Sequence, residues 1–104
     1  MSGIRQEFEG DVFTEESIEV REPKPYHVVL YNDDYTTMEF VVFVLESIFH
    51  HARPRAEQIM LDVHQRGKGI AGTYTRDIAE TKALQTRNLA QEHNYPLRCV
   101  AEPA

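Results

Sequence analysis

A change of pattern inside residues 26–48 constrains this chain more than any other feature. Residues 26–31, YHVVLY, have the length and the β-branched, aromatic composition of a strand. Three polar residues follow: Asn32, Asp33 and Asp34. Met38, Val41, Leu45 and Ile48 then recur at helical spacing, which predicts a helix running up to His50. Thr36 and Glu39 have capping-box spacing and put the cap at Thr36. Further Val and Phe residues around this helix predict burial on more than one side. A strand that runs into such a helix, in a chain of 104 residues, specifies a small mixed domain with one modest core.

The remainder extends that frame. Pro54 suits the first turn of a second helix, Ile59, Met60 and Val63 share one of its faces, and Gly67 marks its stop. Residues 69–75, GIAGTYT, read as a short strand with Gly72 at a bulge or close approach. A third helix is predicted from Asp77 to His93, ended before Pro96. Its stripe of Ala79, Ala83 and Ala90 allows close packing on a sheet. PLRCVAE reads as a closing strand. The order β-α-α-β-α-β predicts an α+β fold, a three-stranded antiparallel sheet with three helices, over residues 24–104.

Residues 1–23 read as a flexible extension. Residues 1–25 hold seven of the 17 acidic and three of the 11 basic residues, a net of −4 within the chain's −6. Their apolar residues show no sustained period, and Pro23 and Pro25 close the segment. The acidic balance argues against a general nucleic-acid binder, which would show a basic face. A lone cysteine, Cys99, forms no internal disulfide and fits a reducing compartment. No apolar run approaches membrane-spanning length, and the first residues lack a signal peptide's pattern. Cytoplasmic is the expected location.

For Asn32-Asp33-Asp34 the residue types allow turn and capping chemistry, a carboxylate pair, or a cation site. A catalytic pair is disfavoured, because acid–base partners more often come from separate elements and no G-x-S-x-G nucleophile motif is present. The histidines fit no metal template. His50 and His51 diverge if helical, and one cysteine offers no C-x-x-C partner. No cofactor is expected either: Gly67, Gly69 and Gly72 lack the spacing and the following Lys-Ser/Thr of a phosphate loop. His64 lies four residues after Met60, so imidazole and thioether share a helix face. A histidine favoured by the helix dipole is the plain alternative.

Four stretches in order, NDDYTTMEF, MLDVHQRGKGIAG, YTRDIAETK and HNYPLRCVAEPA, resemble the ClpS family of bacterial adaptors, which deliver N-degron proteins to the ClpAP protease. The resemblance covers about residues 24–104, and Thr37 departs from the proline common in the family. It implies a site for a free α-ammonium group formed by Asn32, Asp34 and His64, with Asp33 adding field or a backbone contact. It implies a side-chain pocket walled by Thr36, Met38, Val41, Met60, Val63 and Leu97. It also implies docking on the N-terminal domain of ClpA through Asp77, Glu80 and Lys82, and a part for the N-terminal extension in cargo transfer. The expected cargo begins with Leu, Phe, Tyr or Trp, and the expected role is non-enzymatic. Two other readings compete. One is an acid–base hydrolase using Asp33, Asp34 and His64, and the other is an interaction module of the same fold that does not bind N-degrons.

Overall fold

The computed structural model describes residues 23–104; the extension expected over residues 1–23 lies outside them but for its last residue. Strand β1 (Tyr26–Tyr31) is followed by helices α1 (Met38–Ser47) and α2 (Arg53–Arg66). Strand β2 (Lys68–Tyr74), helix α3 (Arg76–Glu92) and strand β3 (Arg98–Pro103) complete the β-α-α-β-α-β order expected from the sequence. The sheet order is β2-β1-β3, with both pairings antiparallel. The first strand is therefore the central one, which is why its middle residues, Val28, Val29 and Leu30, are all buried.

Val28 and Leu30 are fully buried in one core with Val44 and Leu45 of α1, Ile59 of α2 and Cys99 of β3. The alanine stripe behaves as expected: Ala79, Ala83 and Ala90 are at most 1% exposed, so α3 packs closely on the sheet. Helix α1 is buried on more than one side through Phe40, Val41, Val42, Val44 and Leu45.

Both boundaries of α1 differ from the sequence reading, and those of β2, α3 and β3 move by one or two residues. The cap of α1 is Thr37, whose side chain accepts a hydrogen bond from the Phe40 amide at 3.1 Å. Thr36 is drawn off by another partner: its hydroxyl donates to Asp33. Thr37 has φ −74°, a value a proline would also adopt, and its cap bond supplies order that a proline ring would otherwise give. Helix α1 also stops at Ser47, short of His50, whose φ of 59° breaks the helical run. His50 and His51 therefore do not diverge on a helix. They lie in the connection, where the His51 ring N–H donates to the Ala71 carbonyl.

That carbonyl belongs to a bulge. Val28 pairs with Gly72 and Val29 with Ile70, so Ala71 is the extra residue, one position from the glycine that signalled it. Gly67 ends α2 with φ 92°, as its glycine predicted. Gly69 serves close approach: a Cβ there would lie 2.9 Å from Val63 Cγ2 and 3.2 Å from the Ile59 carbonyl. Gly69→Ala is expected to push α2 off β2 at a cost of about 1–3 kcal/mol. The check is the shift in urea midpoint.

Candidate functional site

The Asn32-Asp33-Asp34 stretch is first of all a turn, and Asp33 holds it. Asp33 Oδ1 accepts from the amides of Tyr35 at 2.8 Å and Thr36 at 2.7 Å, and its Oδ2 accepts from the Thr36 hydroxyl at 2.8 Å. Burial pushes the Asp33 carboxyl up, but the bonds from the Thr36 amide and hydroxyl and the Tyr35 amide outweigh it. The net result is a carboxyl below its ordinary range. With both oxygens engaged, Asp33 is a poor half of a catalytic carboxylate pair.

Asn32 is fixed from the other side. Its backbone N–H donates to the Gly67 carbonyl at 2.9 Å, which ties the turn to the end of the helix that carries His64. The side chains of Asn32, Asp34 and His64 are exposed and have no hydrogen-bond partner among the described residues. An amide, a carboxylate and an imidazole are thus free to bind.

All three line one cavity of about 360 Å³, together with Asp33, Thr36, Met38, Val41, Met60 and Val63. Val41 and Val63 are buried and form apolar wall, Met60 is half-buried, and Met38 is 47% exposed at the edge. Two helices contribute because Met38 and Val41 share a face of α1, as do Met60, Val63 and His64 on α2. Of the ten residues expected in the combined site, nine meet here. Leu97 is not among the lining residues; it is 5% exposed and belongs to the core cluster. Tyr35 and Thr37, which the sequence reading passed over, also line the cavity. Tyr35 is 75% exposed, and an aromatic residue inside a polar turn was the signal that could have found it.

The cavity suits a group that is cationic at one end and apolar at the other. An ammonium brings three donors and no acceptor, so it needs several acceptors when it leaves water. Among the described residues no group of three His, Cys, Asp or Glu side chains is arranged to hold a metal ion.

On α3, Asp77 and Glu80 are exposed, and Glu80 pairs with Arg76 at 3.3 Å. Lys82 is half-buried and has an internal task. Its Nζ donates to the Ile48 carbonyl at 2.8 Å and lies over the rings of Phe49 and Tyr74. Ile48 is the C-cap of α1, so Lys82 fastens the end of a pocket helix to α3. Lys82→Met is expected to destabilise the fold by about 1–3 kcal/mol, since a charged donor to a carbonyl is lost. Chemical denaturation of the variant measures this. Ile78 and Leu84 are 48% and 51% exposed on the same helix, large apolar residues outside its alanine stripe.

Fold and cavity together define a small α+β binding domain whose cavity joins polar acceptors to an apolar wall. A family model described as ATP-dependent Clp protease adaptor protein ClpS matches residues 21–100. This chain belongs to the ClpS family of Clp protease adaptors. It is 52% identical over 92 residues to the ATP-dependent Clp protease adapter protein ClpS of Hyphomonas neptunium, covering 88% of this chain and 78% of that one. The protein of the same name from Deinococcus radiodurans is 52% identical over 95 residues, 91% of this chain and 84% of the other. Among solved structures, that of Agrobacterium tumefaciens ClpS2 bound to L-phenylalaninamide matches with a TM-score of 0.77 at 40% identity. It covers 80% of this chain and 100% of that chain.

Proposed function

We propose that this adaptor binds proteins through a free N-terminal Leu, Phe, Tyr or Trp and hands them to the ClpAP protease in the cytoplasm. The observation that carries the reading is one cavity in which Asn32, Asp34 and His64 stand beside Met38, Val41, Met60 and Val63. The α-ammonium of the cargo takes the amide oxygen, the carboxylate and the imidazole nitrogen, with a water completing the set where needed. Its first side chain fills the space between α1 and α2, where the two methionines adapt to different shapes. Thr36 and Asp33 keep the turn in place. The L-phenylalaninamide bound by the Agrobacterium protein presents the same two features, an α-amino group and an apolar side chain.

Magnitudes fit an adaptor that must release what it carries. Burying a Leu or Phe side chain contributes about 1.5–3 kcal/mol. Each charge-assisted hydrogen bond adds about 1.5–3 kcal/mol. After the cost of association, the result is a Kd on the order of micromolar. Docking on the N-terminal domain of ClpA would use Asp77 and Glu80, with Ile78 and Leu84 as exposed apolar area beside them. In this reading Lys82 acts there chiefly by holding the α1–α2 connection to α3. Residues 1–22 assist cargo transfer and take no part in the pocket.

The hydrolase reading is weakened because Asp33 is committed to the turn. The deciding experiment is titration with a Leu-initiated peptide, its N-acetylated twin and an Ile-initiated analogue. Binding is expected for the first, none for the second, and much weaker binding for the third, since branching at Cβ puts bulk beside Met38 and Val41. Equal affinity for free and acetylated peptides would overturn the assignment. Peptide turnover by the pure protein would restore the hydrolase.

A further inference from the structure

A larger cavity, of about 440 Å³, lies apart from the site just described. Its lining includes His27 and Val29 of β1, Lys68 and Ile70 of β2, and the flank of α2 that carries Arg55 and Arg66. Val28 and Leu30 face the core, so the alternating residues His27 and Val29 lie on the opposite face of the sheet. The middle of this groove is apolar. Val29 pairs with Ile70, which is 46% exposed.

The groove's charge is unbalanced. Arg55, Arg66 and Lys68 face two carboxylates: Asp62 pairs with Arg66 at 3.8 Å, while Glu102 accepts the neutral Tyr31 hydroxyl and keeps its charge. Arg55 donates only to the neutral Gln58, and Lys68 has no ion-pair partner among the described residues. The lining therefore keeps a surplus of one positive charge beside the exposed Ile70, on a chain of net charge −6.

We infer that this groove is a docking site for an acidic segment of the same chain, residues 14–20, TEESIEV. Residues 1–22 contain seven acidic and two basic residues, a net of −5, which complements the groove's net positive lining, where Arg55 and Lys68 have no ion-pair partner among the described residues. An extended conformation would put Ile18 and Val20 on one side, facing the exposed Ile70 above the buried Val29. Glu15 and Glu19 fall on the other side, and Glu16 follows the apolar side towards the segment's far end. The connection is short. Only residues 21–25 separate the segment from Tyr26, and His27, at the start of β1, already lines the groove. The pairing of Lys68 with Tyr31 puts its cation at the other end of that strand. Seven extended residues span about 23 Å, enough to run the length of β1. The tether gives an effective concentration on the order of millimolar, so even a weak groove is occupied. The inference does not depend on what the first cavity binds.

The test uses the full chain with a nitroxide attached through Ser17→Cys, read by the loss of backbone amide signal intensity. Cys99 is fully buried, and burial pushes its thiol up to about 11, so it stays unlabelled. At low salt the amides of Val29, Lys68 and Ile70 are expected to lose intensity, while those of Met38 and Val41 keep it. Near 1 M salt, where the Debye length is about 3 Å, the lost intensity should return. It should also return in Arg55→Glu/Lys68→Glu. Glu15→Gln/Glu16→Gln/Glu19→Gln should do the same without touching the described domain, which keeps the test open if the groove variant fails to fold. Absence of selective loss at low salt overturns the inference, as does loss that survives the charge changes. Equal loss in a mixture of isotope-labelled chain without nitroxide and unlabelled chain with it would assign the groove to a second copy's segment, and would overturn docking in cis.

Discussion

Asn32→Ala, Asp34→Ala and His64→Ala are each expected to weaken binding of a free-amine Leu peptide by roughly ten- to a hundredfold. Each removes one acceptor from an ammonium that has left water, at a cost of about 1.5–3 kcal/mol. Stability should change little, because all three side chains are exposed and unpartnered among the described residues. The backbone N–H of Asn32 keeps its bond to the Gly67 carbonyl whatever the side chain. Calorimetric titration with parallel urea unfolding reads both quantities. His50→Asn is the suitable control, because asparagine tolerates the positive φ that alanine resists. His51 is not a neutral control, since its ring satisfies the bulge carbonyl of Ala71. Normal binding by all three folded variants would reduce the cluster to a turn.

Asp33→Ala is expected to weaken the same peptide about as strongly, although Asp33 itself need not touch the ammonium. Its loss releases the Tyr35 and Thr36 amides and the Thr36 hydroxyl, and the turn that presents Asn32 and Asp34 opens. Asp33→Asn keeps an acceptor for the two amides and should retain an intermediate affinity. Equal loss in Asp33→Asn and Asp33→Ala would show instead that its charge acts directly on the ammonium. The pH dependence has a definite sign. The folded carboxyl lies below its unfolded value of about 3.9, so its contribution to stability is present above that value. It is lost as pH falls through the lower folded value. The unfolding free energy of the wild type should therefore drop across the acid range by more than that of Asp33→Asn, measured by urea melts at successive pH values.

The elements and their order were legible in the sequence, because their signals are local. YHVVLY, the periodic apolar residues of α1, Pro54 and Gly67 around α2, and the alanine stripe of α3 each encode their element within a few residues. The sequence also carried the site's polar members, since Asn32-Asp33-Asp34 and His64 lie in stretches whose resemblance to the ClpS family is specific. What those residues do was decided partly by short-range backbone geometry and partly by packing. Thr36 and Thr37 have the same capping chemistry, and a local bond, from Thr36 to Asp33 three residues earlier, left the cap to Thr37. Asp33 and Asp34 are neighbours of one residue type, yet one is consumed by a turn and the other left free, a distinction that backbone direction makes and composition does not. Lys82 entered as a docking residue implied by the family resemblance alone. The Ile48 carbonyl and two aromatic rings that hold it come from residues 34, 33 and eight positions away, brought together by packing. Leu97 was grouped with the pocket walls and lies in the core, because apolar residues that line a cavity and those that fill the interior have the same local pattern. Long-range neighbours, which no local period records, separate the two.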